Sequence, residues 1–249
     1  MSARASFDFT GTRVVVTGAT SGIGHAVATL FRDAGAEVTA TGTKPAATDY
    51  GVDLSGMTYR QLRLTDPDAV AAFAAGLETL DVLVNNAGAN FPGGLDESDP
   101  DGFDASLELN LMAPYRLTVA LHGALRASST PGGASVVNLA SMSAMRAVTL
   151  VPGYSAAKSG IVNLTRNLAV KWARDGIRVN AVAPGIIDTP MTAPMMAVPS
   201  IVDSELARVP MRRFGLPSEV AAAIAFLCTE QSGYTTGAVL MVDGGSDCV

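Results

Sequence analysis

Tyr154 and Lys158 are the two side chains whose types and spacing most directly suggest chemistry, because they lie four residues apart in the chain. Residues at that spacing share one face of a helix. A free tyrosine titrates at about pH 10, and a neighbouring cation lowers the pKa of the phenol. The shift moves the phenol toward the range in which a general acid or base works best. The pair therefore predicts proton transfer, provided that the surrounding elements bring it to a binding site.

The elements that would position this pair alternate between strands and helices. Apolar runs predict strands at 13–17, 38–41, 59–64, 80–84, 134–139, 177–182 and 238–242, and helical patterns cover 23–34, 66–77, 101–127, 153–174 and 218–228. The strands are continuous apolar runs, as expected where both faces of a sheet are covered. The pattern predicts an α/β fold with a Rossmann-like, doubly wound parallel sheet of about seven strands and helices on both faces.

We expect a single domain over residues 1–249, because no linker or internal repeat divides the chain. Residues 186–216 differ from the rest, since they are rich in proline and methionine and follow the end of a predicted strand. This segment is predicted to form a substrate flap. The connection between the second and third strands is short for such a fold.

The composition narrows the classes of function. The chain has a formal net charge of −6 and no run of Lys or Arg, so neither nucleic acid nor a membrane surface is expected as a partner. The longest apolar stretch, 221–228, is too short to cross a bilayer, and residues 1–10 carry no visible secretory signal. Cys228 and Cys248 form no disulfide framework, and no His/Cys cluster predicts a metal site. A cytoplasmic location is expected.

A glycine-rich turn joins the first predicted strand to the first predicted helix. It reads Thr17-Gly18-Ala19-Thr20-Ser21-Gly22-Ile23-Gly24. Glycines there let the backbone approach a pyrophosphate at the helix N-terminus, where free N–H groups and the helix dipole favour anions. The spacing differs from the usual dinucleotide fingerprint, because the first two glycines are four residues apart. A tight turn with only a structural role would also explain the glycines, but the position after the first strand favours a cofactor.

The end of the second strand bears on the choice of cofactor. An acidic residue about twenty positions beyond the glycines normally holds the ribose hydroxyls of NAD. Here the strand leads into Thr43 and Lys44, without an acid, which permits the 2′-phosphate of NADP. Lys44 would contact that phosphate or lie in solvent, whereas Asp49 and Asp53 would favour NAD if the loop folded back. The predicted cofactor is NAD(P)(H), with a slight lean to NADP(H).

Further motifs follow the other predicted strands in chain order. They are Asn85-Asn86-Ala87-Gly88, Asn110, Ser141, the Tyr154/Lys158 pair, Pro184-Gly185 with Thr189, and Asp243-Gly244-Gly245. With the glycine turn, they make residues 12–245 resemble the short-chain dehydrogenase/reductase family, and in particular its 3-oxoacyl-[acyl-carrier-protein] reductase-like members. The resemblance implies an NAD(P)-dependent oxidoreductase that interconverts a secondary alcohol and a ketone.

The resemblance also implies catalytic roles for four residues. Tyr154 would be the general acid/base, and Lys158 would lower its pKa and bind the nicotinamide ribose. Ser141 would hold the substrate oxygen, and Asn110 would complete a proton relay through a water. From the residues alone, the alternative role of Ser141 is a backbone cap in a turn, and that of Asn110 is to satisfy a backbone group in a helix interior.

A cofactor site at the carboxyl ends of the strands is implied in the same way. Its predicted residues are Gly18, Thr20, Ser21, Gly22, Ile23, Gly24, Thr43, Lys44, Leu64, Asn86, Ala87, Gly88, Tyr154, Lys158, Pro184, Gly185, Ile187 and Thr189. Thr189 would bind the nicotinamide carboxamide or cap a helix. The family commonly has an aspartate toward the adenine after the third strand, where this chain has Arg63. The adenine is then left to the Leu64 backbone, to Asp66 or to stacking on Arg63.

The class of substrate and the oligomeric state are predicted from less specific sequence patterns. Apolar candidates for the pocket are Phe91, Met142, Met145, Val148, Met191, Met195 and Met196. They predict a medium-sized apolar carbonyl, such as a 3-oxoacyl or steroid-like compound, with Arg146 the charge placed to meet a carboxylate. A silent dinucleotide-binding sensor and an epimerase or dehydratase are the alternatives. The apolar helices at 101–127 and 153–174, together with the resemblance, predict a homotetramer.

Overall fold

The computed structural model describes residues 5–249, so residues 1–4 of the predicted domain lie outside the described residues. Seven strands form one parallel sheet in the order β3-β2-β1-β4-β5-β6-β7. The strands are β1 (Arg13–Val16), β2 (Glu37–Gly42), β3 (Thr58–Gln61), β4 (Val82–Asn85), β5 (Ala134–Leu139), β6 (Ile177–Pro184) and β7 (Val239–Val242). The predicted doubly wound parallel sheet is confirmed, and the strand order reverses between β1 and β4.

Helices cover both faces of the sheet. They are α1 (Gly22–Asp33), α2 (Pro67–Ala75), α3 (Pro100–Leu107), α4 (Ala113–Ala120), α5 (His122–Arg126), α6 (Pro152–Trp172), α7 (Ala193–Met196), α8 (Pro199–Arg208) and α9 (Pro217–Cys228). Successive residues of β1 point to opposite faces: Val14 and Val16 pack with residues of α1 and α9, whereas Val15 packs with residues of α2, α4 and α6. Two buried cores, one on each face of the sheet, therefore hold β1 in place.

The helical stretch expected over 101–127 is confirmed but irregular, because a π-helical turn, Glu108–Met112, joins α3 to α4 and α5 follows after Leu121. Pro114 has no N–H to continue the ladder of hydrogen bonds, and the turn closes with the N–H of Ala113 donating to the Glu108 carbonyl. Asn110 lies inside this turn. Such turns often lie at functional sites, and this one directs Asn110 toward the loop after β4.

The alternation of strands and helices fails between β2 and β3. Residues 43–57, all within the described part of the chain, contain a 3₁₀ turn, Ala47–Asp49, and no α-helix. Tyr50, Val52 and Met57 pack against the same core as α1, so this loop replaces a helix as a cover for that face. The short connection noted in the sequence therefore leaves an exposed loop beside the carboxyl end of β2.

The segment predicted as a flap, 186–216, contains α7 and α8. Its two ends are hydrogen bonded, since the N–H of Asp188 donates to the Gly215 carbonyl and the N–H of Gly215 donates to the Ile186 carbonyl, both at 2.9 Å. Neither helix contains a buried residue. The two ends of the segment thus lie side by side, and the two helices between them lie on the surface. Within residues 5–249, no helix is both long and apolar enough to cross a membrane.

Candidate active site

A cleft of about 400 Å³ opens at the carboxyl ends of the strands, where the strand order reverses between β1 and β4. Ligands of open α/β sheets bind at this kind of position. Most residues predicted for the site line the cleft, namely Gly18, Thr20, Ser21, Gly22, Ile23, Gly24, Thr43, Asn86, Ala87, Gly88, Ser141, Tyr154, Lys158, Pro184, Gly185, Ile187 and Thr189. The fold therefore brings together residues that are far apart in sequence.

Three predicted residues do not line the cleft. Asn110 is fully buried behind it, and Leu64 lies in the core that also holds Val15. Lys44 is at the surface, where its ammonium group donates to the Asp49 carbonyl at 2.7 Å and lies 4.8 Å from the centre of the Tyr50 ring. The Leu64 side chain therefore offers no face to a ligand in this cleft, and Lys44 would have to leave Asp49 to reach one.

The glycine turn is held open by Asn86. The Asn86 amide donates to the Thr17 carbonyl at 2.9 Å and to the Gly18 carbonyl at 3.2 Å. A Cβ on Gly24 would lie 2.2 Å from the Gly18 carbonyl oxygen and 2.3 Å from the Asn86 amide nitrogen, which no side chain can occupy. The glycine at this position is therefore required by the close approach of the turn to α1, and Asn86 is a structural clamp.

The N-terminus of α1 faces the cleft with its N–H groups unsatisfied by a side chain. Its N-cap, Ser21, is extended and makes no side-chain capping bond. The first N–H groups of a helix lack internal acceptors and attract phosphate. A Cβ on Gly22 would lie 3.1 Å from Thr189, so the start of the 186–216 segment comes close to the same turn. A glycine-lined cradle at a helix N-terminus fits a pyrophosphate-bearing dinucleotide.

The other end of the cleft is formed by Gly42 and Thr43 after β2. Two phenols support this end: the N–H of Lys44 donates to the Tyr50 hydroxyl at 2.7 Å, and the Tyr59 hydroxyl donates to the Lys44 carbonyl at 2.5 Å. Every residue that lines the cleft in the described chain is uncharged except Lys158. We call this region, Gly42–Lys44 with Tyr50 and Tyr59, the β2 end of the cleft.

Asp49 and Asp53 do not enter the cleft. Asp49 accepts the Ala46 N–H at 3.0 Å, and Asp53 accepts the Ser55 N–H at 2.9 Å. Both carboxylates thus serve turns of the 43–57 loop, which does not fold back onto the ribose position.

Tyr154 and Lys158 lie in the first two turns of α6 and both line the cleft. The Lys158 ammonium nitrogen is 5.3 Å from the centre of the Tyr154 ring and donates to the Leu139 carbonyl at 2.7 Å. Burial lowers the pKa of Lys158 to about 8. Because Leu139 is the last residue of β5, its carbonyl fixes the ammonium group at the strand end.

The pKa of Tyr154 differs from the sequence-based prediction. Burial raises it to about 12, the Ser141 hydroxyl favours the phenolate, and the negative charge of Glu97 opposes it. The expected lowering by Lys158 is wrong for this state of the protein, because the loss of solvent around the phenol outweighs the favourable groups. Tyr154 therefore holds its proton throughout the neutral range.

Ser141 and Asn110 each serve the backbone as well. The Ser141 hydroxyl accepts the Ser143 N–H at 3.2 Å, as in the alternative interpretation of a cap. The Asn110 amide donates to the Ala89 carbonyl at 3.0 Å, and its oxygen accepts the Ala89 N–H at 3.1 Å. A Cβ on Gly88 would lie 2.6 Å from that amide oxygen and 3.6 Å from the Lys158 ammonium nitrogen. Asn110 therefore lies one loop residue away from Lys158.

Glu97 was missed in the sequence. It lies in the turn before α3, is fully buried, and accepts hydrogen bonds from the backbone N–H groups of Phe91 and Tyr154. Its neighbours Asp96, Ser98 and Asp99 are exposed and polar, so no apolar pattern marks it. The only sequence signal is a carboxylate just before a Pro-initiated helix.

The apolar residues predicted for the substrate pocket are more widely spread than the residues of the predicted cofactor site. Met191 lines the cleft, and Phe91 and Met145 are exposed. Arg146 pairs with Glu205 of α8 at 3.2 Å, which joins the loop after β5 to the 186–216 segment. In residues 5–249, no group of three or more His, Cys, Asp or Glu side chains is placed to hold a metal ion.

The parallel sheet, the glycine-lined cradle at the start of α1 and the Tyr154/Lys158 pair at the opposite end of one cleft define a dinucleotide-binding α/β oxidoreductase. The comparisons with known proteins agree. The family described as Enoyl-(Acyl carrier protein) reductase matches residues 18–247. The chain belongs to the short-chain dehydrogenase/reductase family and is an NAD(P)-dependent enzyme of that family.

Three relatives illustrate the match. Cis-4-hydroxycyclohexanecarboxylate dehydrogenase of Sinomonas cyclohexanicum is 42% identical, over 94% of this chain and 96% of the relative. The 3-oxoacyl-[acyl-carrier-protein] reductase FabG of Vibrio cholerae is 34% identical, over 93% of this chain and 95% of the relative. The solved RhlG/NADP active-site complex of Pseudomonas aeruginosa has a TM-score of 0.86 at 28% identity and covers 98% of this chain and 100% of its own.

Proposed function

We propose that the protein transfers a hydride between NAD(P)(H) and a secondary alcohol or ketone, with Tyr154 as the general acid/base. The observation that carries the proposal is the position of Tyr154 beside buried Lys158 in a cleft that begins at an uncapped helix N-terminus. Gly18, Gly22 and Gly24 would hold the dinucleotide along that cleft, in a turn that Asn86 keeps in shape.

In the direction of reduction, Tyr154 would donate its proton to the carbonyl oxygen of the substrate. The raised pKa of Tyr154 keeps the phenol protonated at neutral pH, so the proton is available for donation. Ser141 would hold the substrate oxygen, and the Lys158 ammonium would bind the nicotinamide ribose while its charge favours the phenolate left behind. Asn110 would support reprotonation through a water near Lys158. The nicotinamide supplies the hydride.

NADP(H) is the proposed cofactor. No described residue that lines the cleft is acidic, so nothing there repels a 2′-phosphate. Lys44 lies next to Thr43 at the β2 end of the cleft and could exchange the Asp49 carbonyl for a phosphate. The RhlG complex, whose description names NADP, supports the same choice. Titration with NADPH and NADH in parallel tests it; tenfold tighter binding of NADH would refute it.

The proposed substrate is a medium-sized, largely apolar carbonyl compound, such as a 3-oxoacyl compound or a ring ketone. Phe91, Met145 and Met191 offer exposed apolar surface on elements around the cleft. The names of the Sinomonas and Vibrio relatives include a cyclic hydroxy acid and a 3-oxoacyl group. A steroid-like ketone would use the same apolar surface.

A carbonyl panel tests both the substrate and the reaction. Net consumption of NADPH with 3-oxoacyl thioesters, 4-oxocyclohexanecarboxylate or steroid ketones is expected. Turnover of small polyols alone would refute the substrate class. Product formation without net NADPH consumption would instead indicate an epimerase or dehydratase, and binding without any turnover would indicate a sensor.

A homotetramer and a cytoplasmic location are also proposed. Met112, Tyr115 and Val119, in and beside α4, and Val170 of α6 expose apolar side chains, which one subunit leaves uncovered. Two unpaired cysteines agree with a reducing compartment. Light scattering that gives the mass of one 25.5 kDa chain would refute the tetramer.

A further inference from the structure

Glu97 has an unusual setting for a charged side chain. It is fully buried, and no ion pair within the described residues includes it. Its partners are two backbone groups: Oε1 accepts the N–H of Phe91 at 2.9 Å, and Oε2 accepts the N–H of Tyr154 at 2.7 Å. Buried carboxylates are costly unless their oxygens are hydrogen bonded, so both oxygens of this one are engaged in fixing the backbone.

The bond to Tyr154 completes the N-terminus of α6. That helix begins at Pro152, its N-cap residue Val151 has no side-chain acceptor, and Tyr154 is its third residue. The N–H groups of the first turn have no acceptor within the helix, and a negative charge there is favoured by the helix dipole. Glu97 thus caps α6 from a distant part of the chain, at the residue that carries the phenol.

The bond to Phe91 fixes the loop that leaves the cleft after Gly88. Phe91 has a left-handed backbone with φ of +49°, which is strained for a large side chain and persists only when its surroundings impose it. The opposite oxygen of the same carboxylate supplies such a constraint. Glu97 therefore ties the mouth of the cleft to the helix that bears Tyr154.

The backbone around Glu97 is closely packed. A Cβ on Gly102 of α3 would lie 3.0 Å from the Glu97 nitrogen. A Cβ on Gly153 of α6 would lie 2.9 Å from Ser106 of α3 and 3.1 Å from Phe103. Helices α3 and α6 therefore touch at Gly153, and the backbone of Asp96 and Glu97 packs closely against Gly102.

We propose that Glu97 is a positioning residue, which acts through Tyr154 and Phe91 to set the phenol against the substrate. This inference rests on the proposed role of Tyr154 in proton transfer. The negative charge of Glu97 has a second consequence. It raises the pKa of Tyr154, in the same direction as burial, which is the larger cause. The ammonium of Lys158 faces the same phenol from within α6, and the Ser141 hydroxyl reaches it from the loop after β5.

Two substitutions separate the charge of Glu97 from its geometry. Glu97→Gln removes the charge and leaves one oxygen acceptor, so one backbone N–H faces an amide group. We expect kcat to fall about 10- to 100-fold from misplacement of the phenol, with the Kd for NADPH unchanged. The rise of the oxidation rate with pH, which requires the phenolate, should move about one pH unit lower once the negative charge is gone.

Glu97→Asp keeps the charge but shortens the reach by one methylene group. It should lower kcat as Glu97→Gln does, without the shift of the pH profile. If Glu97→Gln does not fold, Glu97→Asp still tests whether the two hydrogen bonds position Tyr154. Asp99→Asn is the matched control, because Asp99 is an exposed carboxylate in the same turn whose side chain makes no capping bond. The control should equal the unmodified protein in kcat, Kd and pH profile.

Wild-type kcat and an unshifted profile in Glu97→Gln would overturn the inference. So would an equal loss of NADPH affinity in both variants, since that would indicate general disruption of the fold. Tyr154→Phe distinguishes a failure of the role given to Glu97 from a failure of the proposed function. If Tyr154→Phe is inactive while Glu97→Gln is fully active, only the role of Glu97 fails; if Tyr154→Phe is fully active, the proposed function fails.

Discussion

The two ends of the cleft are built in opposite ways. At the catalytic end, Glu97, Asn110 and Lys158 are at most 4% exposed, and each is hydrogen bonded to backbone. At the β2 end, Lys44 is exposed on a loop that contains no α-helix. The proposed reaction would therefore use groups that the core holds in place. The proposed choice of cofactor would depend on surface groups, which can change without disturbing the core.

A large loss of turnover is expected at the catalytic end from Gly88→Ala. The added Cβ would lie 2.6 Å from the Asn110 amide oxygen, so that amide must shift, and it would touch the Lys158 ammonium nitrogen at 3.6 Å. We expect kcat to fall about 100-fold, with the preference for NADPH over NADH unchanged. Steady-state kinetics with both cofactors measure this result.

Gly123→Ala is the control, since its Cβ would meet no atom within 4 Å. It should leave kcat unchanged. A loss of cofactor preference in Gly88→Ala, with kcat intact, would contradict the division between the two ends.

The fold was largely predictable, because hydrophobic runs determine strands directly. The segment 134–139 was predicted with the bounds that β5 has, and all of its residues are buried. The π-helical turn within the helical stretch 101–127 was not predicted. A proline near the start of α4 does not distinguish a regular helix from one with such a turn, and the hydrogen bonds of Asn110 to Ala89 join residues that are 21 positions apart.

Site residues were predictable where sequence motifs mark them. Properties that depend on burial in the folded protein were not. The glycines, Ser141, Tyr154 and Lys158 all line the cleft as expected. The pKa of Tyr154 was not predictable, since desolvation depends on the packed protein rather than on the spacing to Lys158. Glu97 was missed because its partners are backbone N–H groups 6 and 57 residues away, which leave no side-chain pattern.

A smaller effect is expected from pH at the catalytic end. The pKa of Lys158 is lowered to about 8 by burial, so its ammonium is present below that pH and is lost above it. Tyr154 keeps its proton until about pH 12. The value of kcat/KM for reduction should therefore be level below pH 8 and fall by up to about tenfold per pH unit above it.

A pH profile of kcat/KM checks this sign and position. Rates that stay level to pH 10 would show that the Lys158 charge is not needed for reduction.

The smallest effect is expected at the β2 end, from Lys44→Ala. A surface charge contact contributes about 1 kcal/mol or less, so affinity for NADPH should fall up to about fivefold, while NADH affinity and kcat stay the same. Lys171→Ala, which removes an exposed lysine in the last turn of α6, is the matched control. An equal loss for NADH and NADPH would place Lys44 away from the 2′-phosphate.

We propose that Tyr154 moves the proton and contributes little to the affinity for the cofactor. The most direct test of this proposal is Tyr154→Phe, with NADPH binding and carbonyl reduction measured on the same preparation. The substitution removes one oxygen and keeps the ring beside Lys158. We expect an unchanged Kd and a turnover lower by about 10²- to 10⁴-fold. Turnover within threefold of the unmodified enzyme would contradict it.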